Sequence, residues 1–136
     1  MAATTVGLDT GFFLRLLAGH DGCVSLWRRL LAGEVRGVVS CLSLAELRRL
    51  GLRGHLEAQD ADLLLEAIPA VCEVVWLDSP EALERAAHLS HGTGLPLVDA
   101  LIVASLEAAG ATEVWTTDAD LERCQRQGMH MRLLQG

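Results

Sequence analysis

Read by its alternation of apolar and polar positions, the chain breaks into brief apolar runs separated by longer amphipathic ones. Residues 4–9 (TTVGLD) and 37–41 (GVVSC) are short, apolar and turn-bounded, and both read as strands. CEVVWL at 72–77 and TEVWTT at 112–117 predict a third and a fourth, and MHMRLL near the C-terminus a fifth. Between the strands the period becomes helical. GFFLRLLAG puts Phe12, Phe13, Leu16 and Leu17 on one side, and a second helix begins at Asp21 or Gly22 and stops at Gly33. Residues 42–54 and 60–68 predict two more helices, the latter stopped by Pro69. Ser79 then Pro80 is an N-cap and first-turn pair that opens SPEALERAAHLSHG. LPLVDALIVASLEAAG (95–110) reads as a long apolar helix and DADLERCQRQG as a short one.

Strands that are apolar on both faces and alternate with helices predict a three-layer α/β/α domain. Its sheet would be mostly parallel, with four or five strands. The 136 residues, with no Pro-, Ser- or Gly-rich linker, suit a single domain over residues 1–136. Trp76 and Trp115 fall in predicted strands, so core packing or a place in an interface is expected of both. No apolar run approaches the ~18 residues of a membrane span. The opening MAATTVGLDT has no basic stretch leading into an apolar core, so a cytoplasmic location is expected. Cys23, Cys41, Cys72 and Cys124 show no paired zinc spacing and read as reduced, buried small side chains.

Charge changes the picture in two ways. The net charge is −7, but residues 1–55 hold seven Arg against four acids while residues 56–136 hold four Arg against fourteen. Contacts with phosphate are therefore expected from arginines of the first half, such as Arg15, Arg48 and Arg49. Lysine is absent altogether, which removes a P-loop and Schiff-base chemistry.

Four acids stand out against this background. Asp9 follows the first strand, at the carboxyl edge where open parallel sheets place their sites, and it equally suits an N-cap. Asp99 interrupts an apolar helix, where a carboxylate costs several kcal/mol unless compensated or solvated. Asp118, with Asp120 behind it, follows the fourth strand. Glu46 has two readings. Ser43-x-x-Glu46 spells a capping box, but if Ser40 or Cys41 caps the helix, Glu46 points across the strand ends. Carboxylates gathered at one edge remain ionised together only with cations, and hard oxygen donors suit Mg²⁺ or Mn²⁺.

These segments resemble the PIN-domain family, in particular its VapC-like toxin branch, over nearly the whole chain. VGLDTGFFLRLL matches the opening strand and acid at Asp9 and Thr10, and VVSCLSLAEL the second acid at Glu46. LPLVDALIVASLEAAG matches the third acid at Asp99, and VWTTDADL the fourth motif at Thr116, Asp118 and Asp120. Gly11 departs from the pattern, where many members carry Ser, Asn or a bulkier residue. The resemblance implies a Mg²⁺- or Mn²⁺-dependent endoribonuclease acting on RNA, homodimeric and inhibited by a cognate antitoxin. It assigns catalysis and metal binding to Asp9, Glu46, Asp99 and Asp118, with Asp120 as a further ligand and Thr10 and Thr116 in support. A degenerate PIN module that binds protein or RNA without cutting is the alternative.

Two competing signals are weaker. Asp9-Thr10-Gly11 spells the aspartic-protease triplet, but a helical pattern follows it at once. Glu84, His88 and His91 share a helix at metal-compatible spacing, and a solvated helix face is the expectation there.

Overall fold

The computed structural model describes residues 4–125 and 128–135. Its strands are β1 (Thr5–Leu8), β2 (Arg36–Ser40), β3 (Glu73–Val75), β4 (Glu113–Thr116) and β5 (His130–Leu133). The helices are α1 (Thr10–Leu17), α2 (Asp21–Leu31), α3 (Cys41–Leu52), α4 (Ala58–Val71), α5 (Pro80–Thr93) and α6 (Leu97–Ala108), and Ala119–Cys124 form a 3-10 helix. All strand pairings are parallel, in the order β3-β2-β1-β4-β5.

Parallel strands need crossovers, and the crossovers cover both faces with helices. Side chains alternate across the sheet accordingly. Val6, Leu8, Val39 and Trp115 pack with Phe12 and Phe13 of α1, Leu26 and Leu30 of α2, Leu47 of α3 and Ile68 of α4. Val38, Val114 and Met131 point the other way, onto Leu89 of α5 and Ile102, Val103 and Leu106 of α6. A side chain on Gly7 would sit 3.0 Å from Leu106, so α6 rests directly on the central strand. This is the expected three-layer domain, with five strands rather than four. Among the described residues no helix is long and apolar enough to cross a membrane. All four cysteines are free thiols, and all but Cys41 are buried.

Several expectations need correction. Pro69 does not stop α4, which runs on to Val71. It falls in the last turn, where one hydrogen bond at most is forfeited, and the buried Ile68 anchors the turn. The third strand is only three residues long, and Trp76 lies beyond it with 64 % of its surface exposed. Trp115 is buried as expected. The short helix after β4 is 3-10 in form.

Candidate active site

From β1 the chain moves to β2 and β3 on one side, and it later returns to place β4 and β5 on the other. The carboxyl ends of β1 and β4 are therefore the switch point, where loops leave in opposite directions and open a crevice. Asp9 directly follows β1, and Asp118 lies two residues after β4.

Asp9 is the most constrained acid. It caps α1, with Oδ1 accepting from the Thr10 N–H at 2.8 Å, and only 9 % of its surface is exposed. Its Oδ2 accepts from the Thr116 hydroxyl at 2.7 Å. That hydroxyl in turn accepts from the Asp118 N–H at 3.0 Å, so one buried oxygen ties the ends of both strands together. Burial pushes the Asp9 carboxyl above its ordinary pKa; the two hydrogen bonds counter this, and the charges of Glu46 and Asp118 add to it. Cap and candidate ligand are thus compatible roles, because a carboxylate has lone pairs beyond those two bonds.

Glu46 is not part of a capping box. Ser40 caps α3 through its hydroxyl and the Leu42 N–H, while Ser43 is buried inside the first turn. Glu46 therefore lies in the second turn and reaches α1, where its Oε1 accepts from the Thr10 hydroxyl at 2.5 Å. Asp99 occupies the first turn of α6. Burial raises its pKa, followed by the charges of Asp118, Asp9 and Asp120, and no donor or cation among the described residues offsets them. Asp118 caps the 3-10 helix through the Asp120 N–H at 2.9 Å. Asp120 is exposed and pairs with Arg123 at 3.2 Å.

The five acids thus share one crevice electrostatically, and they come from the β1–α1 junction, α3, α6 and the segment after β4. They do not form a tight cage: among the described residues no three His, Cys, Asp or Glu side chains converge on a metal-sized gap. Each of Asp9, Glu46, Asp118 and Asp120 is instead held by a donor of its own. The donor set fits a hard divalent cation, since it is all oxygen, and a cation would offset the burial and the mutual repulsion that raise Asp9 and Asp99.

The three expected arginines separate. Arg48 is held by Asp62 of α4 at 2.7 Å and does not line the crevice. Arg15 lies in the last turn of α1; its Nε is buried without a partner among the described residues, and its charge reaches Cys23 of α2. Arg49 lines a cleft with Thr10, Glu46, Leu50 and Arg53. Arg53 belongs to the same arginine-rich first half without being one of the three named above, and it is seven residues from Glu46 and so on its side of a helix. Glu84 and His88 form an exposed pair at 3.4 Å, as a solvated helix face should. The protease triplet begins a helix on an all-parallel sheet, which removes that reading.

Gly11 has a local cause. A Cβ there would lie 2.0 Å from the Thr117 Oγ1 and 2.8 Å from its Cβ, so the loop after β4 occupies the space of a side chain. Gly11→Ala is expected to cost about 1–3 kcal/mol, as overpacking does. Thr117→Gly in the same chain should recover most of that loss in urea unfolding. Simply additive losses would show that the close approach is not the cause.

Residues 6–127 match the family model described as PIN domain. Among solved structures, the chain is similar to VapBC2 from Rickettsia felis, a structure bound to a DNA fragment from their promoter. The identity is 19%, the TM-score 0.72, and the match covers 96% of this chain and 98% of that one. A toxin–antitoxin complex from Klebsiella pneumoniae matches at 20% identity and TM-score 0.66, over 91% of this chain and 94% of the other. VapC20 from Mycobacterium tuberculosis, described as a sarcin–ricin loop cleaving toxin, matches at 21% identity and TM-score 0.63, over 88% and 94%. At such identities the likeness is one of fold. Comparison with curated proteins gives no match.

Proposed function

Because this chain belongs to the PIN-domain family, we propose that it is a divalent-metal-dependent endoribonuclease, the toxin of a toxin–antitoxin pair. The observation that supports this most is the meeting of acids from four separate segments at the β1/β4 switch point, two of them with raised proton affinity.

Asp9, Asp99, Asp118 and Glu46 are the proposed holders of Mg²⁺ or Mn²⁺, with Asp120 as a further ligand once Arg123 releases it. Such an ion, when bound, supplies charge that acidifies water and offsets the charge developing on a phosphodiester. The protein's own part is positioning. Thr116 fixes the Asp9 carboxylate against β4. Thr10 fixes Glu46 across the gap between α1 and α3, and Glu46 orients the attacking water. Thr10 and Thr116 are thus positioning residues, each acting through an acid. An antitoxin is the proposed protein partner, since one protein of similar fold was solved in a toxin–antitoxin complex. A homodimer is proposed from the family resemblance.

A non-cleaving binding module is the second reading, and the spread of the acids favours it. Incubation of purified protein with RNA separates the two. Cleavage is expected with Mn²⁺ and none with EDTA. An uncut substrate under every divalent cation tried would leave the binding module standing.

A further inference from the structure

Arg48 and Arg49 lie in the C-terminal half of α3 and Arg53 caps its end, yet they have different surroundings. Arg48 is neutralised by Asp62. Arg49 and Arg53 line the cleft that also contains Thr10, Glu46 and Leu50. Among the described residues neither guanidinium takes part in an ion pair or side-chain hydrogen bond. Their two positive charges line one wall of the cleft in a chain of net charge −7.

Positions 46, 49, 50 and 53 recur at helical spacing, so the cleft follows one stripe of α3. Glu46 and Thr10 belong to the acidic crevice as well, which makes the cleft continuous with it. Arg49 and Arg53 are about 6 Å apart along the helix axis, at 1.5 Å per residue. The walls therefore offer two planar cations and, in Leu50, an apolar surface between them. A phosphate accepts hydrogen bonds from guanidinium groups in a fork geometry, and a ribose or base can cover an apolar side chain.

We propose that Arg49 and Arg53 form a phosphate-binding subsite that holds the RNA strand flanking the scissile bond and leads it along α3. This rests on the nuclease reading of the crevice. It adds to that reading a residue, Arg53, and a direction for the substrate. RNA is favoured over an acidic peptide because the cleft opens into the crevice where a phosphodiester has to lie.

The test is fluorescence anisotropy of a labelled single-stranded oligouridylate with the full chain in EDTA, at several salt concentrations. Arg49→Gln and Arg53→Gln should each weaken binding roughly three- to tenfold. Each should also lower the salt slope by about 0.7, the value for one lost phosphate contact on a single strand. Arg49→Lys and Arg53→Lys keep the charge and should retain most of the slope. Arg48→Gln, whose partner is Asp62, should stay within about twofold of wild type.

An equal loss in Arg48→Gln would overturn the subsite in favour of general surface charge. Unchanged RNA affinity in both glutamine variants would overturn it too, and a parallel loss of affinity for oligoglutamate would assign the cleft to a protein partner. Wild-type protein that does not bind the oligonucleotide overturns it outright. If binding follows the expected pattern but no divalent cation supports cleavage, the subsite stands and the nuclease reading falls. If wild type cleaves RNA and the glutamine variants bind it normally, the nuclease reading stands and the subsite falls.

Discussion

Asp99→Asn is expected to abolish cleavage while making the metal-free protein more stable. The loss of rate should be at least on the order of 10²–10³-fold, the range for removing one group from a preorganised electrostatic site. The gain in stability has a separate cause. Burial and the charges of Asp118, Asp9 and Asp120 all raise the Asp99 pKa, so its ionised form is disfavoured in the folded chain. A group whose pKa is raised on folding favours the folded state below its unfolded value and loses that contribution as pH rises through the folded value. At neutral pH Asp99 is therefore a liability that asparagine lacks. The melting temperature should rise by at most a few degrees, because Asp99 is only partly buried and solvent screens the repulsion. The gain should shrink as pH falls through the folded-state pKa and vanish below the unfolded value. A variant that melts lower than wild type at pH 7, or a gain that grows on acidification, would contradict this account.

Mn²⁺ should reverse that ranking. A ligand that binds only the folded state stabilises it by about 2.7 kcal/mol at 100 times its dissociation constant. For a chain of this size that is a rise of about 10 °C in melting temperature. Wild type is expected to show it, and Asp99→Asn and Asp9→Asn to lose most of it. Asp120→Asn should keep the greater part, since Asp120 is exposed and paired with Arg123. Thermal scans with and without Mn²⁺ on the four proteins decide the matter. A shift of equal size in Asp99→Asn would place the cation elsewhere. No shift in wild type would support the binding module.

The parts of the fold legible in the sequence are those set by local pattern. Short apolar runs mark all five strands, and caps such as Ser79 with Pro80 set helix starts to within a residue or two. Asp9 and Asp118 are visible because a strand ends just before them. What the sequence hides depends on neighbours distant along the chain. Ser43 and Glu46 have capping-box spacing, yet Ser40 takes the cap because β2 ends there, and only then does Glu46 reach Thr10. Arg48 and Arg49 are adjacent and chemically identical. The presence of Asp62 on α4 decides which one is neutralised. Gly11 departs from the family pattern for a reason that lies more than a hundred residues away, in the Thr117 side chain that fills its space. Trp76 reads as a strand residue because the apolar run that contains it outlasts β3. How the acids are oriented stays beyond the sequence as well, since Asp9, Glu46 and Asp118 are each engaged by a donor that no motif reveals.

The pairing of β1 with β4 also bears on synthesis. Val6 meets Glu113 and Leu8 meets Trp115, so the central pair of the sheet joins two segments more than a hundred residues apart. Contacts of such long range form late, because a large loop must close first. Until β4 has docked, Asp9 has no Thr116 to hold it, and Asp118 and Asp120 are not yet in place. On the proposed nuclease reading, a nascent chain would therefore lack the assembled site until β4 and the loop behind it have been made. A chain cut short before β4 leaves β1 with an open edge on that side, which exposes it to aggregation or proteolysis.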